Sequence, residues 1–203
     1  MPASPVLRHV LAAGIFLAVL AGCSSTSIKD SWKDPAYAGP TFKQVLVVGV
    51  SKSDSNRRVF EDGFAAALRT AGVSATSSYG SLPESGEISN ARLDDAVNKT
   101  RSDSVLVTRL LRVKKDVNVT PSYVSPGFYG RGFRGYYGGA YMAMPPDVHV
   151  YDVLTIETTL WNMKADKPVW SGTSELTEPG SVAKATEELA KVLITKMKAD
   201  GVI

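Results

Sequence analysis

The chain has few of the residues on which metal centres, disulfides and histidine-based catalysis depend. Its 203 residues include one cysteine and two histidines. A single thiol excludes an internal disulfide and a cluster of thiolate ligands. With so few histidines, a metal site would have to consist mainly of carboxylates. The sequence therefore predicts neither a metal site nor a cofactor.

Long hydrophobic runs are also missing. The longest apolar run is eleven residues, 10–20, whereas a transmembrane helix needs about 20. The run follows Arg8, contains no charge, and is succeeded by the small residues Ala21 and Gly22. That arrangement is typical of a secretory signal peptide, and it predicts that residues 1–22 are removed.

Residues 20–23 read Leu-Ala-Gly-Cys, and here the chain resembles a bacterial lipoprotein precursor with its lipobox. The resemblance implies cleavage before Cys23, lipidation of its thiol, and acylation of the new amine with fatty acids such as palmitate. Several acyl chains hold a protein stably on a membrane, whereas one short chain does so only marginally. By the sorting rule of Gram-negative lipoproteins, Ser24 implies the periplasmic face of the outer membrane. An ordinary signal peptide with an incidental cysteine is the alternative.

After the signal peptide, basic and acidic residues are nearly balanced. Residues 23–203 carry 22 basic and 20 acidic side chains. Nucleic-acid-binding proteins usually concentrate basic residues on one face. We therefore expect no nucleic-acid partner.

Hydrophobic periodicity predicts one domain over residues 41–203, preceded by a polar, flexible tether over residues 23–40. The predicted order is β-α-β-α-β-β-β-α. This order belongs to the α/β (α+β) class, a single mixed β-sheet with helices packed on it. The predicted elements are strands over 45–50, 73–79, 104–120, 148–163 and 169–176, and helices around 57–71, 90–101 and 182–197.

A glycine- and tyrosine-rich insert, residues 122–146, interrupts this pattern. Residues 130–135 match the letters of a dinucleotide fingerprint, but that motif must follow a strand and open a helix, so the match is rejected. Aromatic and arginine side chains are enriched at contact hot spots, and aromatic rings also suit a lipid headgroup layer. The alternative is a mobile hairpin tip without a partner. The predicted partner contacts are Tyr129, Arg131, Phe133, Arg134, Tyr136 and Tyr137.

No residue pattern indicates catalysis. His149 could serve a catalytic triad, but no Gly-x-Ser-x-Gly nucleophile elbow is present. Arg57 and Glu61 are spaced as an i,i+4 ion pair, which we expect on the solvent side of a helix. The acids Asp62, Asp94 and Asp95 are also expected on polar helix faces or in first turns. The sequence thus favours a protein that is not an enzyme.

Further motifs resemble a family of uncharacterised proteobacterial outer-membrane lipoproteins. They are the lipobox, residues 31–35 and 42–49, an Arg-x-x-Glu helix start at 58–61, the insert, and Val-Trp-Ser-Gly at 169–172. The resemblance implies a location and a small α/β domain, with no catalytic residues. The leading hypothesis is a lipid-anchored, non-enzymatic binding or assembly module of the cell envelope. Its partners would be the membrane, through the acyl chains, and an envelope protein or cell-wall component.

Two alternatives remain open at this point. One is an envelope hydrolase acting on cell-wall or lipid material, which would need a pocket where His149 or two carboxylates converge. The other is a subunit of a larger lipoprotein assembly. In that case the exposed half of the 104–120 strand would pair, edge to edge, with another chain.

Overall fold

The computed structural model describes residues 26–82, 90–120 and 147–203. Within these ranges the chain forms one six-stranded mixed sheet with three α-helices. This confirms the predicted fold class. The elements are β1 Thr26–Lys33, β2 Gln44–Val50, α1 Asp54–Thr70, β3 Ser74–Ser77, a short 3-10 turn Ser78–Gly80, α2 Asn90–Thr100, β4 Ser104–Thr120, β5 Asp147–Asn162, β6 Lys167–Thr177 and α3 Val182–Ala199.

The strands lie in the order β1-β6-β5-β4-β2-β3. β2 pairs in parallel with β3 and β4, whereas the other neighbours are antiparallel. Val45, Leu46 and Val47 of β2 are all buried. Such a continuous run of apolar residues is expected of a strand that is covered on both faces.

Two helices, α1 and α3, pack against one face of the sheet and enclose the main core. Ser53 caps α1, and Ser181 caps α3 by accepting a hydrogen bond from the Lys184 backbone N–H at 3.2 Å. The smaller α2 covers part of the other face. The main core includes Phe64, Leu68, Leu106, Leu160, Trp170, Leu189, Leu193 and Met197.

The predicted tether is where the structure departs most from expectation. Residues 26–33 form strand β1, which pairs antiparallel with β6 from Thr26↔Leu176 to Lys33↔Trp170. An edge strand tolerates many polar side chains because one side is open to water. Ile28 packs against the main core and Lys29 forms an ion pair with Glu175 at 2.9 Å. The folded part of the chain therefore already includes Thr26, three residues after Cys23.

Trp170 lies at the centre of the core and is completely buried. Its indole N–H donates a hydrogen bond to the Asp200 carboxylate at 2.8 Å. The ring covers Gly172, where an added Cβ would lie 2.5 Å from the indole. The Trp-Ser-Gly part of the late strand is thus a packing motif in which the glycine makes room for the ring.

Candidate functional site

The first candidate is a polar cluster at the carboxyl ends of the parallel strands, an edge where α/β sheets often bind ligands. Its centre is Glu61 of α1, which is 0% exposed, beside Arg57, which is 6% exposed. Glu61 Oε1 accepts hydrogen bonds from Arg57 Nε at 2.9 Å, Ser78 Oγ at 2.8 Å and the Gly49 N–H at 3.0 Å. Glu61 Oε2 accepts one from the Tyr79 N–H at 2.9 Å. The cluster thus joins α1, β2 and the 3-10 turn.

The predicted solvent-side position of Arg57 and Glu61 is therefore wrong, although their predicted pairing is correct. The pair is buried because α1 turns this side of the helix toward the strand ends, next to Phe64 and Leu68 on the same stripe. Each Glu61 oxygen already has a donor from the protein. Because its hydrogen-bonding capacity is used within the fold, the cluster is best explained as a structural link.

Around this cluster, the exposed surface carries a second set of polar contacts. The Tyr79 hydroxyl donates to Asp62 Oδ2 at 3.1 Å, and the Arg58 guanidinium lies 5.0 Å from the centre of the Tyr79 ring. The hydrogen bond to Asp62 raises the pKa of Tyr79 above its usual value. Asp62, Asp94 and Asp95 are exposed, as predicted.

The second candidate is a two-stranded projection. β4 pairs with β2 only as far as Arg109, and β5 pairs with β6 only from Val153 onward. Beyond these points, residues 115–120 of β4 and 147–152 of β5 pair with each other. We call these twelve residues the β4–β5 arm. Its last pair, Thr120↔Asp147, flanks the insert.

Several predicted site residues lie outside the described residues. The predicted lipidation site, Cys23, is one of them. The backbone of His149 is described and pairs with Asn118 in the arm, but its side chain is outside the description. The enzyme alternative that invoked His149 therefore stays untested. All six predicted contacts of the insert also lie outside the described ranges. They are Tyr129, Arg131, Phe133, Arg134, Tyr136 and Tyr137.

Exposed valines and one ion pair share a face along the arm and its base. Val117 and Val150 are direct cross-strand partners and are 52% and 53% exposed. Val113, at the base of the arm on the same face, is 52% exposed. Between them lies the ion pair of Lys115 with Asp152, at 3.2 Å. We call Val113, Val117 and Val150 the valine row. Single exposed valines are ordinary, but a row on a two-stranded ribbon is not, because such a ribbon is only marginally stable alone.

An apolar groove of about 280 Å³ lies at the base of the arm. α1, β4, β5 and α3 all contribute to it, so the groove could not be recognised from any single sequence motif. Next to this groove, Lys115, Asp152 and Glu178 line a more polar cleft of about 420 Å³, and Leu154 borders both. Prominent in the lining of the apolar groove are Phe60, Leu110, Leu154, Ile156, Val182 and Leu189.

Two further features concern only the described ranges. There, His, Cys, Asp and Glu side chains do not gather in any group of three or more that could hold a metal ion. No helix in the part of the chain that the structure describes is long and apolar enough to cross a membrane.

Comparison with known proteins gives only loose likenesses. No protein-family model matches the chain, and no curated protein matches it. Two structures of the PelC dodecamer from Paraburkholderia phytofirmans are 16% identical to it, with TM-scores of 0.46 and 0.44. They cover 83% of this chain and 95% and 94% of their own. Lipoprotein GNA1162 from Neisseria meningitidis is 14% identical, with a TM-score of 0.43, over 77% of this chain and 99% of that one. Likenesses at this level carry no argument about function.

Proposed function

We propose that the protein is a lipid-anchored module of the bacterial cell envelope that works by binding and not by catalysis. Acyl chains on Cys23 hold it on the periplasmic face of the outer membrane. The observation that carries this proposal is the Leu-Ala-Gly-Cys lipobox directly after an eleven-residue apolar run. The position of β1 supports this proposal, because the strand begins at Thr26, three residues after Cys23. An anchor at Cys23 would therefore hold the domain close to the lipid surface.

Binding is favoured by where the open surfaces lie. The best-organised buried polar groups, Glu61 and Arg57, are satisfied by partners within the fold. Exposed apolar side chains are by contrast grouped on the valine row and in the groove at its base. An exposed apolar patch of this kind commonly marks a site of contact with a partner or a membrane.

The lipid anchor is tested by replacing Cys23 with alanine. We expect this variant to incorporate no labelled palmitate and to keep its signal sequence, because lipobox processing follows thiol modification. It should no longer fractionate with the outer membrane. Metabolic palmitate labelling and fractionation of whole cells measure both effects. Ser24→Ala, which leaves the thiol in place, is the matched control and should be labelled normally. A Cys23→Ala protein that matures and localises like the wild type would refute the proposal.

The insert is proposed as the contact surface for an envelope protein or cell-wall component. It joins the paired ends of the arm at Thr120 and Asp147, away from the main core. We expect a protein that lacks residues 124–144 to keep its fold and its membrane location but to lose partner crosslinks in whole cells. A photoreactive residue at position 114, at the base of the arm and outside the deletion, can report on both proteins. Unchanged crosslinks in the shortened protein would exclude the insert as the contact.

A further inference from the structure

The pairing register shows which residues of the other strands lie level with Thr26, the first described residue after the lipid anchor. Thr26 lies opposite Leu176, which lies opposite Leu154, which in turn lies opposite Val113. These four residues form one row across β1, β6, β5 and β4. Cys23 is three residues before Thr26, and an extended chain spans at most about 3.5 Å per residue. The anchor therefore lies within about 10 Å of this row.

The arm projects past the same row, toward the side from which the chain enters β1. Each of the three strand pairs from β1 to β4 is antiparallel, so β4 runs opposite to β1 and continues where β1 begins. Val117 is four residues beyond Val113, which corresponds to about 13 Å of strand. The acylated cysteine can lie at most about 10 Å from the Thr26 row. Val117 and its partner Val150 extend at least that far from the same row.

We propose that the β4–β5 arm rests on the same lipid layer that holds Cys23, with the valine row turned toward the lipid. This inference rests on the proposed acylation of Cys23. A lipid surface that lies across this end of the sheet, within about 10 Å of the Thr26 row, meets an arm that extends at least as far. Contact with lipid also removes from water the valines that the fold leaves exposed, and this is a favourable process.

The chemistry of the arm suits a headgroup layer. Lys115 lies within the valine row and its side chain is 75% exposed. A lysine in this position can lay its methylene chain along apolar surface while its ammonium group reaches phosphate. Arg112 and Lys114 are exposed near the base of the arm but lie on the strand face opposite the valine row, and Lys114 is paired with Asp116 at 3.3 Å. The charges on the lipid-facing side are therefore those of Lys115 and its partner Asp152. The arm would thus add a second membrane contact to the acyl chains.

The test uses the acylated protein, residues 23–203, in vesicles of phosphatidylethanolamine and phosphatidylglycerol. Cys23 is the only cysteine and its thiol is consumed by the lipid, so an introduced cysteine is the only free thiol. Val117→Cys, and in a second protein Val150→Cys, are labelled with an environment-sensitive fluorophore. Ala165→Cys is the matched control. Ala165 lies in the β5–β6 turn, about 40 Å from Val117 along the strands.

Vesicles containing a lipid with a quenching nitroxide near its headgroup report contact with the membrane. We expect quenching at positions 117 and 150 to exceed that at 165 by about threefold or more, because contact quenching requires close approach. Adding Val113→Asn to the labelled Val117→Cys protein should reduce the quenching. Adding Val50→Asn should not, because Val50 is exposed but lies away from the valine row, beside Arg109.

Other outcomes would overturn the proposal in distinguishable ways. If the protein remains on the vesicles but position 117 is quenched no more than position 165, the arm does not touch lipid, while the acyl anchor stands. A label that is shielded from water without lipid quenching, and more so at high protein density, would show that a second copy covers the arm. Protein that fails to remain on the vesicles would overturn both the anchor and the arm contact.

Discussion

Replacing Glu61 with alanine is expected to lower the free energy of unfolding by about 3–5 kcal/mol. The substitution leaves the Arg57 guanidinium almost fully buried without its carboxylate. It also removes the acceptor for the Gly49 and Tyr79 N–H groups and for the Ser78 hydroxyl. Urea denaturation followed by circular dichroism measures the change.

Two further variants show whether burial causes the effect. Asp54 forms an ion pair with Arg58 at 2.7 Å on the exposed side of the same helix, also at i,i+4 spacing. Asp54→Asn should cost less than about 1 kcal/mol, because exposed ion pairs contribute little. Replacing Arg57 and Glu61 together with Met and Leu should cost less than Glu61→Ala, since no buried charge is then left unpaired. Equal losses for Glu61→Ala and Asp54→Asn would contradict the structural role of the cluster.

The burial of Glu61 was missed because i,i+4 spacing shows which side chains meet but not which side of the helix they occupy. A signal was nevertheless present in the sequence. Glu61 is three residues before Phe64 and seven before Leu68, so it lies on the apolar stripe of α1. A charged pair on such a stripe indicates a buried ion pair when the neighbouring strand ends supply donors. Those donors come from Gly49 and the 3-10 turn, and only the fold brings them there.

The central strands and helices could be predicted because their patterns are strong. β2 is a continuous apolar run, and α1 and α3 carry apolar residues at helical spacing after a serine cap. β1 could not be predicted in this way. Its sequence, TSIKDSWK, contains little apolar alternation, and its strand structure depends on hydrogen bonds with β6. An edge strand stabilised by its neighbour leaves only a weak mark in its own residues.

The sequence indicated the arm only in part. The change from apolar to alternating residues along 104–120 correctly predicted a strand that leaves the buried sheet. The level of Val117 relative to Cys23 depends on the register of three strand pairings, and the groove depends on side chains from four elements. Such long-range coincidences are set by topology and cannot be obtained from local patterns. The predicted contacts of the insert stay predictions, because they lie outside the described residues.

Trp170→Ala is expected to destabilise the fold by about 3–5 kcal/mol, because removing a large buried aromatic side chain leaves a cavity in the core. Trp170 is completely buried, and its ring fills the space above Gly172. Trp32→Ala is the matched control. Trp32 is half exposed on β1, so its loss should cost much less. Denaturation followed by circular dichroism measures both variants, and similar losses at the two positions would contradict the central role of Trp170.

Trp170→Phe separates the hydrogen bond from the packing, because it keeps most of the ring and loses the indole N–H that binds Asp200.

Burial by itself would raise the pKa of Asp200. Hydrogen bonds from Lys196 and Trp170, with the charges of Lys196 and Lys33, outweigh this and leave its pKa below the usual value. A carboxyl whose pKa is lowered by folding stabilises the protein above the unfolded-state pKa of about 3.9, and this stabilisation is lost as the pH falls through the folded value. Trp170→Phe removes one of the donors, so the stability difference from the wild type should be larger at about pH 7 than at about pH 3. An equal difference at both values would mean that the indole hydrogen bond does not hold the Asp200 carboxylate in its charged form.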